Sequence, residues 1–117
     1  IVTLGAVEQE LGNYDIAIEN YEKALDLDPR LNDVFFRISR IYNIQEKYNE
    51  AKIAAKNSLK IQSQYSPAYF ELGFAEMKLC NVVASKDAFK KAKRDLLFRK
   101  DAKKYLDNMT YYTKDCN

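Results

Sequence analysis

The stretch Leu11–Pro29, "LGNYDIAIENYEKALDLDP", decides how the whole chain reads. Gly12-Asn13 is a turn signal. Tyr14, Ala17, Ile18, Tyr21, Ala24 and Leu25 then recur at i, i+3, i+4 and i+7, the period of an amphipathic helix. Asp28-Pro29 closes the run, because proline pushes the residue before it out of the helical region. "YNEAKIAAKNSLKI" repeats the same stripe with Tyr48, Ala51, Ala55, Ser58 and Leu59. Shifting the chain by 34 residues aligns Leu4 with Ile38 and Leu72, Gly5 with Ser39 and Gly73, and Val7 with Ile41 and Ala75. The same shift aligns Tyr14 with Tyr48 and Val82, Ala17 with Ala51 and Ser85, Tyr21 with Ala55 and Phe89, and Ala24 with Ser58 and Ala92. Small residues meet small ones and apolar meet apolar, the trace of helices that pack against copies of themselves.

The predicted helices fall near 1–10, 14–27, 33–45, 48–61, 67–79 and 82–96. A seventh lies near 99–112, where Ala102, Tyr105, Leu106, Met109 and Tyr112 form an apolar stripe. Ser66-Pro67 reads as an N-cap followed by a proline in the first turn. Only three glycines and two prolines in 117 residues are few for a turn-rich β protein, so the fold class is all-α.

The spacing and residue types resemble the tetratricopeptide repeat (TPR) family, whose pattern is W-x2-L-G-x2-Y…A-x3-F…P. The first copy reads Ile1-x2-Leu4-Gly5-x2-Glu8, Ala17-x3-Tyr21 and Pro29. The second reads Phe35-x2-Ile38-Ser39-x2-Tyr42 and Ala51-x3-Ala55, with Ser63 at the proline position. The third reads Tyr69-x2-Leu72-Gly73-x2-Glu76 and Ser85-x3-Phe89, with Leu97 there. The resemblance implies a right-handed α-α superhelix of three repeats, 1–31, 32–65 and 66–97, followed by a capping helix and short tail over 98–117. The chain opens on "IVTLGAVEQE" without an initiator Met, so the first repeat is expected to be truncated and the chain to continue a longer one.

Composition narrows the chemistry. There is no histidine, hence no imidazole acid–base or histidine–metal chemistry, and no phosphate-loop, nucleophile-elbow or C-x-x-C motif. Glu8 and Glu10 lie about 200° apart around a helix, and Glu71 and Glu76 about 140°, so neither makes a catalytic pair and both read as solvated charges. The expectation is a non-enzymatic protein without cofactor or metal. Cys80 and Cys116 lack metal-ligand spacing and read as unpaired thiols rather than a bridge from the third repeat to the tail, which points to a reducing, cytoplasmic compartment. No run reaches the roughly 20 apolar residues of a membrane span.

The resemblance further implies that the first helix of each repeat lines a concave groove. In this chain the groove positions are Val2, Ala6 and Gln9, then Phe36, Arg40 and Asn43, then Phe70, Phe74 and Met77. An aromatic and methionine row on such a face suits an apolar peptide or helix of another protein. Three alternatives stay open: the row is core covered by the 99–112 helix, the partner is a second copy of this chain, or the chain is a regulatory segment of a larger multidomain protein. Arg40 is either a groove wall or a contact for a ligand carboxylate. The carboxylate clamp with which some family members hold chaperone tails would fall on Val2, Ala6, Arg37, Pro67 and Glu71, and none matches. Residues 86–104 hold nine Lys and Arg against three Asp, a local net of +6, whereas residues 1–85 hold nine basic and twelve acidic groups, a net of −3. Lys86, Lys90, Lys93, Lys100, Lys103 and Lys104 therefore form either a solvated end or a docking patch for an acidic partner. No nucleic-acid motif accompanies them.

Overall fold

The computed structural model describes residues 1–116. Eight helices and no strand occur among them: α1 (Val2–Glu10), α2 (Tyr14–Leu27), α3 (Asn32–Ile44), α4 (Tyr48–Ile61), α5 (Ser66–Lys78), α6 (Val82–Ala92), α7 (Leu96–Asp107) and α8 (Met109–Tyr112). α1–α2, α3–α4 and α5–α6 are antiparallel hairpins stacked side by side as an α-α superhelix with extents of 40 × 26 × 21 Å.

Three identical turns set this stacking. Gly12, Glu46 and Cys80, spaced by 34 residues, take left-handed φ values of 80°, 62° and 65°. Around each, the next residue's amide reaches back five positions: Asn13 to Glu8, Lys47 to Tyr42 and Asn81 to Glu76, each N–H···O at 2.8 Å. This is the Schellman arrangement, which satisfies helix-end carbonyls and reverses the chain in two residues. At the other ends of the hairpins, Asp28 and Gln62 both take extended φ, ψ near the same values (−144°, 99° and −132°, 99°). Proline 29 is therefore not required for that turn; extended backbone at Gln62 achieves it with Ser63 in place.

Within a hairpin the close approach is a matter of volume. A Cβ on Gly5 would lie 2.6 Å from the Tyr21 ring, and one on Gly73 would lie 2.9 Å from the Phe89 ring. The middle hairpin exchanges the sizes: Ser39 faces Ala55, and its hydroxyl donates to the Ala51 carbonyl at 2.8 Å. Ser85 makes the matching bond to the Gly73 carbonyl at 2.8 Å. Each buried hydroxyl thus has a partner.

The 34-residue register runs on into α7. Val34, Ala68 and Ala102 are all fully buried at equivalent positions, and Ile41, Ala75 and Met109 follow. So α7–α8 lies on α5 and α6 as a further first helix would. Asp107, however, stands where Gly5, Ser39 and Gly73 admit a second helix, and it is engaged by Lys103. α7 thereby presents a charged back.

Four sequence expectations need correction. Helix 82–96 stops at Ala92, because Asp95 starts α7 by accepting from the Leu97 amide at 2.9 Å. The 99–112 helix begins at Leu96 and breaks at Asn108, whose side chain donates to the Lys104 carbonyl at 2.8 Å. Ser66 is the first residue of α5 rather than its cap, with Pro67 still in the first turn. Finally, Cys80 and Cys116 are not free: they form a disulfide across Cα atoms 5.5 Å apart, so the premise for a reducing compartment falls.

Candidate functional site

α3, α5 and α7 together line an open cavity of about 240 Å³ whose walls are Arg40, Asn43, Ile44, Phe70, Glu71, Phe74 and Tyr105. Four residues expected to line the groove, Arg40, Asn43, Phe70 and Phe74, therefore come together. Two do not. Phe36 packs edge-on against Tyr65, with ring centroids 6.1 Å apart, away from the cavity. Met77 is only 1% exposed and joins a core cluster with Phe89, Ala92, Ala102 and Met109, because α6 and α8 close over its end of α5.

The aromatic wall is built across helices. Tyr105 stacks on Phe89 at 5.1 Å with planes 15° apart, and it meets Phe70 at 6.0 Å and Phe74 at 5.8 Å. Phe98 closes on Phe70 at 5.4 Å. Such offset and edge contacts add to the apolar burial and fix the rings as a unit. Phe70 and Phe74 are half-buried, and both line the cavity. Burial pushes the Tyr105 phenol above its ordinary range, opposed by the Lys104 ammonium.

Polar groups also line the cavity, Glu71 among them. Glu71, read as a solvated charge, is buried. Asn43 of α3 donates from Nδ2 to the Glu71 carbonyl at 3.1 Å and to its carboxylate Oε1 at 3.0 Å. Burial raises the Glu71 pKa above the usual carboxylate range, while the Asn43 hydrogen bond and the Arg40 charge pull it back. The Asn43 Oδ1 is buried with no partner, an orphan acceptor beside the cavity. Glu76 is also buried, and Lys52 from the neighbouring hairpin pairs with it at 3.1 Å while Asn81 donates to it at 2.9 Å. Both glutamates sit on α5, and their polar partners reach them from α3, from α4 and from the α5–α6 turn.

At the rim, Arg40 and Ile44 are exposed. Of the earlier groove positions, Gln9 accepts from the Tyr21 hydroxyl at 2.9 Å and Val2 packs on the first core cluster. A separate cleft of about 280 Å³ runs between α2 and α4, with Leu25, Phe35, Tyr42 and Ile53 among its walls. Lys86, Lys90, Lys93, Lys100, Lys103 and Lys104 are all exposed, with Lys103 held by Asp107 and Lys104 lying 5.6 Å over the Tyr105 ring. No helix among the described residues is long and apolar enough to cross a membrane.

These features define an all-helical repeat protein. Comparison with known families finds the tetratricopeptide repeat at residues 3–31 and again at 33–65, and the chain belongs to that family. It is similar to tetratricopeptide repeat protein 12 of Homo sapiens, 29% identical over 80 residues, which cover 68% of this chain. The chain spans 11% of the length of that relative. Tetratricopeptide repeats mediate interactions between proteins and are typically non-catalytic.

Proposed function

We propose that this chain is a non-catalytic interaction module that receives a peptide or helix of another protein in the groove lined by Arg40, Asn43, Ile44, Phe70, Phe74 and Tyr105. The observation that carries the reading is the cavity itself. It combines aromatic faces for apolar burial with a buried carboxamide whose acceptor has no intramolecular partner. A ligand pocket of this kind is apolar with a few placed polar groups. In this reading the aromatic rings supply affinity, and Asn43 with Arg40 fixes the register of the bound segment. The α5–α6 hairpin acts as a third repeat over residues 66–97, after repeats over 1–31 and 32–65, and 98–117 closes the array; Asn117 lies outside the described residues. A carboxylate clamp for chaperone tails is not part of the proposal.

A second reading, association with another copy, has one observation in its favour. Leu4 and Val7 on α1 are 57% and 49% exposed, whereas Ile38 and Ile41 at the equivalent positions of α3 are buried against α2. The basic residues of α6 and α7 would serve either reading as a docking patch for an acidic partner.

Peptides selected from a display library against the intact chain, titrated into isotope-labelled protein, test the groove reading. Shifts should concentrate on α3, α5 and α7, including the Asn43 side-chain amide. Selected peptides that perturb α2 and α4 instead, or a selection that yields none, would remove it.

A further inference from the structure

We infer that the Cys80–Cys116 disulfide is a redox-sensitive latch that sets the shape of the groove by holding α7–α8, and with it the Tyr105 wall, in place. The inference rests on the groove reading only for its consequence, since the latch itself is a property of the fold.

Cys80 occupies the left-handed position of the α5–α6 turn, and Cys116 follows α8. The bond between them, spanning 36 residues, encloses α6, α7 and α8 in one covalent loop. Outside that bond the hold on α7–α8 is modest. α7 leaves α6 through the short turn 93–95, breaks from α8 at Asn108, and fully buries one side chain, Ala102. α8 is four residues long and buries Met109. The remaining hold is the ring cluster of Phe98, Tyr105 and Tyr112 against Phe70, Phe74 and Phe89. Segments with few buried contacts are the first to open in a native protein, and a cross-link that closes a loop suppresses such opening.

The Cys80 residue is exposed, so a small dithiol reaches the bond. A thiolate of the dithiol attacks one sulfur and forms a mixed disulfide. The dithiol's second thiol then displaces the protein sulfur. Two electrons and two protons pass to the protein, leaving two cysteine thiols and the oxidised, cyclised dithiol. With the tail released, α7–α8 opens more often. Tyr105 then leaves Phe70 and Phe74, and the cavity loses one of its walls.

The test uses the full chain, oxidised and after dithiothreitol, with thiols counted, alongside Cys116→Ser. Amide exchange is read helix by helix, and the Tyr105 ring resonances by NMR. Reduction should speed exchange in 96–112 by about tenfold or more while α3 and α4 stay unchanged. The Tyr105 ring signals should move toward solvent-exposed values, and reoxidation should restore both. Cys116→Ser should match the reduced chain with or without dithiol. Exchange in 96–112 within about twofold of the oxidised chain would overturn the inference, as would equal acceleration in every helix. A groove peptide selected on the oxidised chain should then bind several-fold differently on reduction. Unchanged affinity despite loosened α7–α8 would refute control of the groove. A chain that latches as described but binds no selected peptide in either state would sink the groove reading and leave the latch standing.

Discussion

Replacing Gly73 by alanine tests the packing rule that holds each hairpin together, because it predicts a sign. In an open helix, glycine to alanine stabilises by about 1 kcal/mol through backbone entropy and propensity. Here the new methyl would sit 2.9 Å from both Cδ1 and Cγ of Phe89. That ring cannot retreat: it is fully buried, stacked on Tyr105 at 5.1 Å and edge-on to Phe70 at 5.6 Å. Overpacking of this kind costs about 1–3 kcal/mol, so Gly73→Ala should destabilise. Phe89→Ala alone should cost about 3–5 kcal/mol for the lost ring and its cavity. In that background the added methyl has space, as Ser39 has opposite Ala55, and Gly73→Ala should become neutral or stabilising. Urea unfolding followed by circular dichroism gives the cycle, with an expected coupling of about 1–3 kcal/mol. A higher midpoint for Gly73→Ala in the parent, or the same change in both backgrounds, would refute the argument.

Four further substitutions have expected outcomes. Cys116→Ser, or reduction of the parent, should lower stability by about 3–4 kcal/mol because the bond closes a 36-residue loop, which thermal unfolding with and without dithiol will read. Glu71 has its pKa raised by burial, so the folded state binds a proton more tightly than the unfolded state. Its contribution is then fully present below the unfolded pKa and is lost as pH rises through the folded one. Glu71→Gln should accordingly gain stability over the parent at neutral pH, with the gain shrinking on acidification; a constant difference across that range would contradict the sign. At the turns, Gly12 has open space around its Cα and φ of 80°, so Gly12→Ala should cost about 1–2 kcal/mol from backbone strain alone. Glu46→Gly, at the equivalent position, should gain up to about 1 kcal/mol by the same measurement.

What could be read from the sequence was whatever repeats. Gly5, Ser39 and Gly73 mark the close approaches, and the period places α1–α5 within a residue or so at each end. The repeat also carries Arg40, Asn43, Phe70 and Phe74 onto neighbouring first helices, and the fold brings those four to one cavity. The readings that failed depended on contacts made once. Glu71 looks like any helix-surface carboxylate until Asn43 from α3 and the ring of Tyr105 from α7 close around it. Met77 continues the apolar row of Phe70 and Phe74 in spacing, but α6 and α8 cover its end of the helix. The end of α6 was hidden by the apolar pair Leu96 and Leu97, which extend the stripe while Asp95 quietly caps a new helix. The disulfide joins a turn to a tail that belongs to no period; the one available signal was that Cys80 falls 34 residues after Glu46 and 68 after Gly12, in the same left-handed turn.

The claim that the groove, and not another face, binds the partner is tested most directly by two matched isoleucines. Ile44 is 50% exposed and lines the groove cavity, and Ile53 is 61% exposed in the separate cleft between α2 and α4. Either can take a charge without disturbing the core. Calorimetric titration of a selected peptide into Ile44→Glu and Ile53→Glu should give an affinity loss of about tenfold or more for the first and none for the second, since interface energy concentrates where apolar side chains are desolvated. Loss at Ile53 with normal binding at Ile44 would contradict the account.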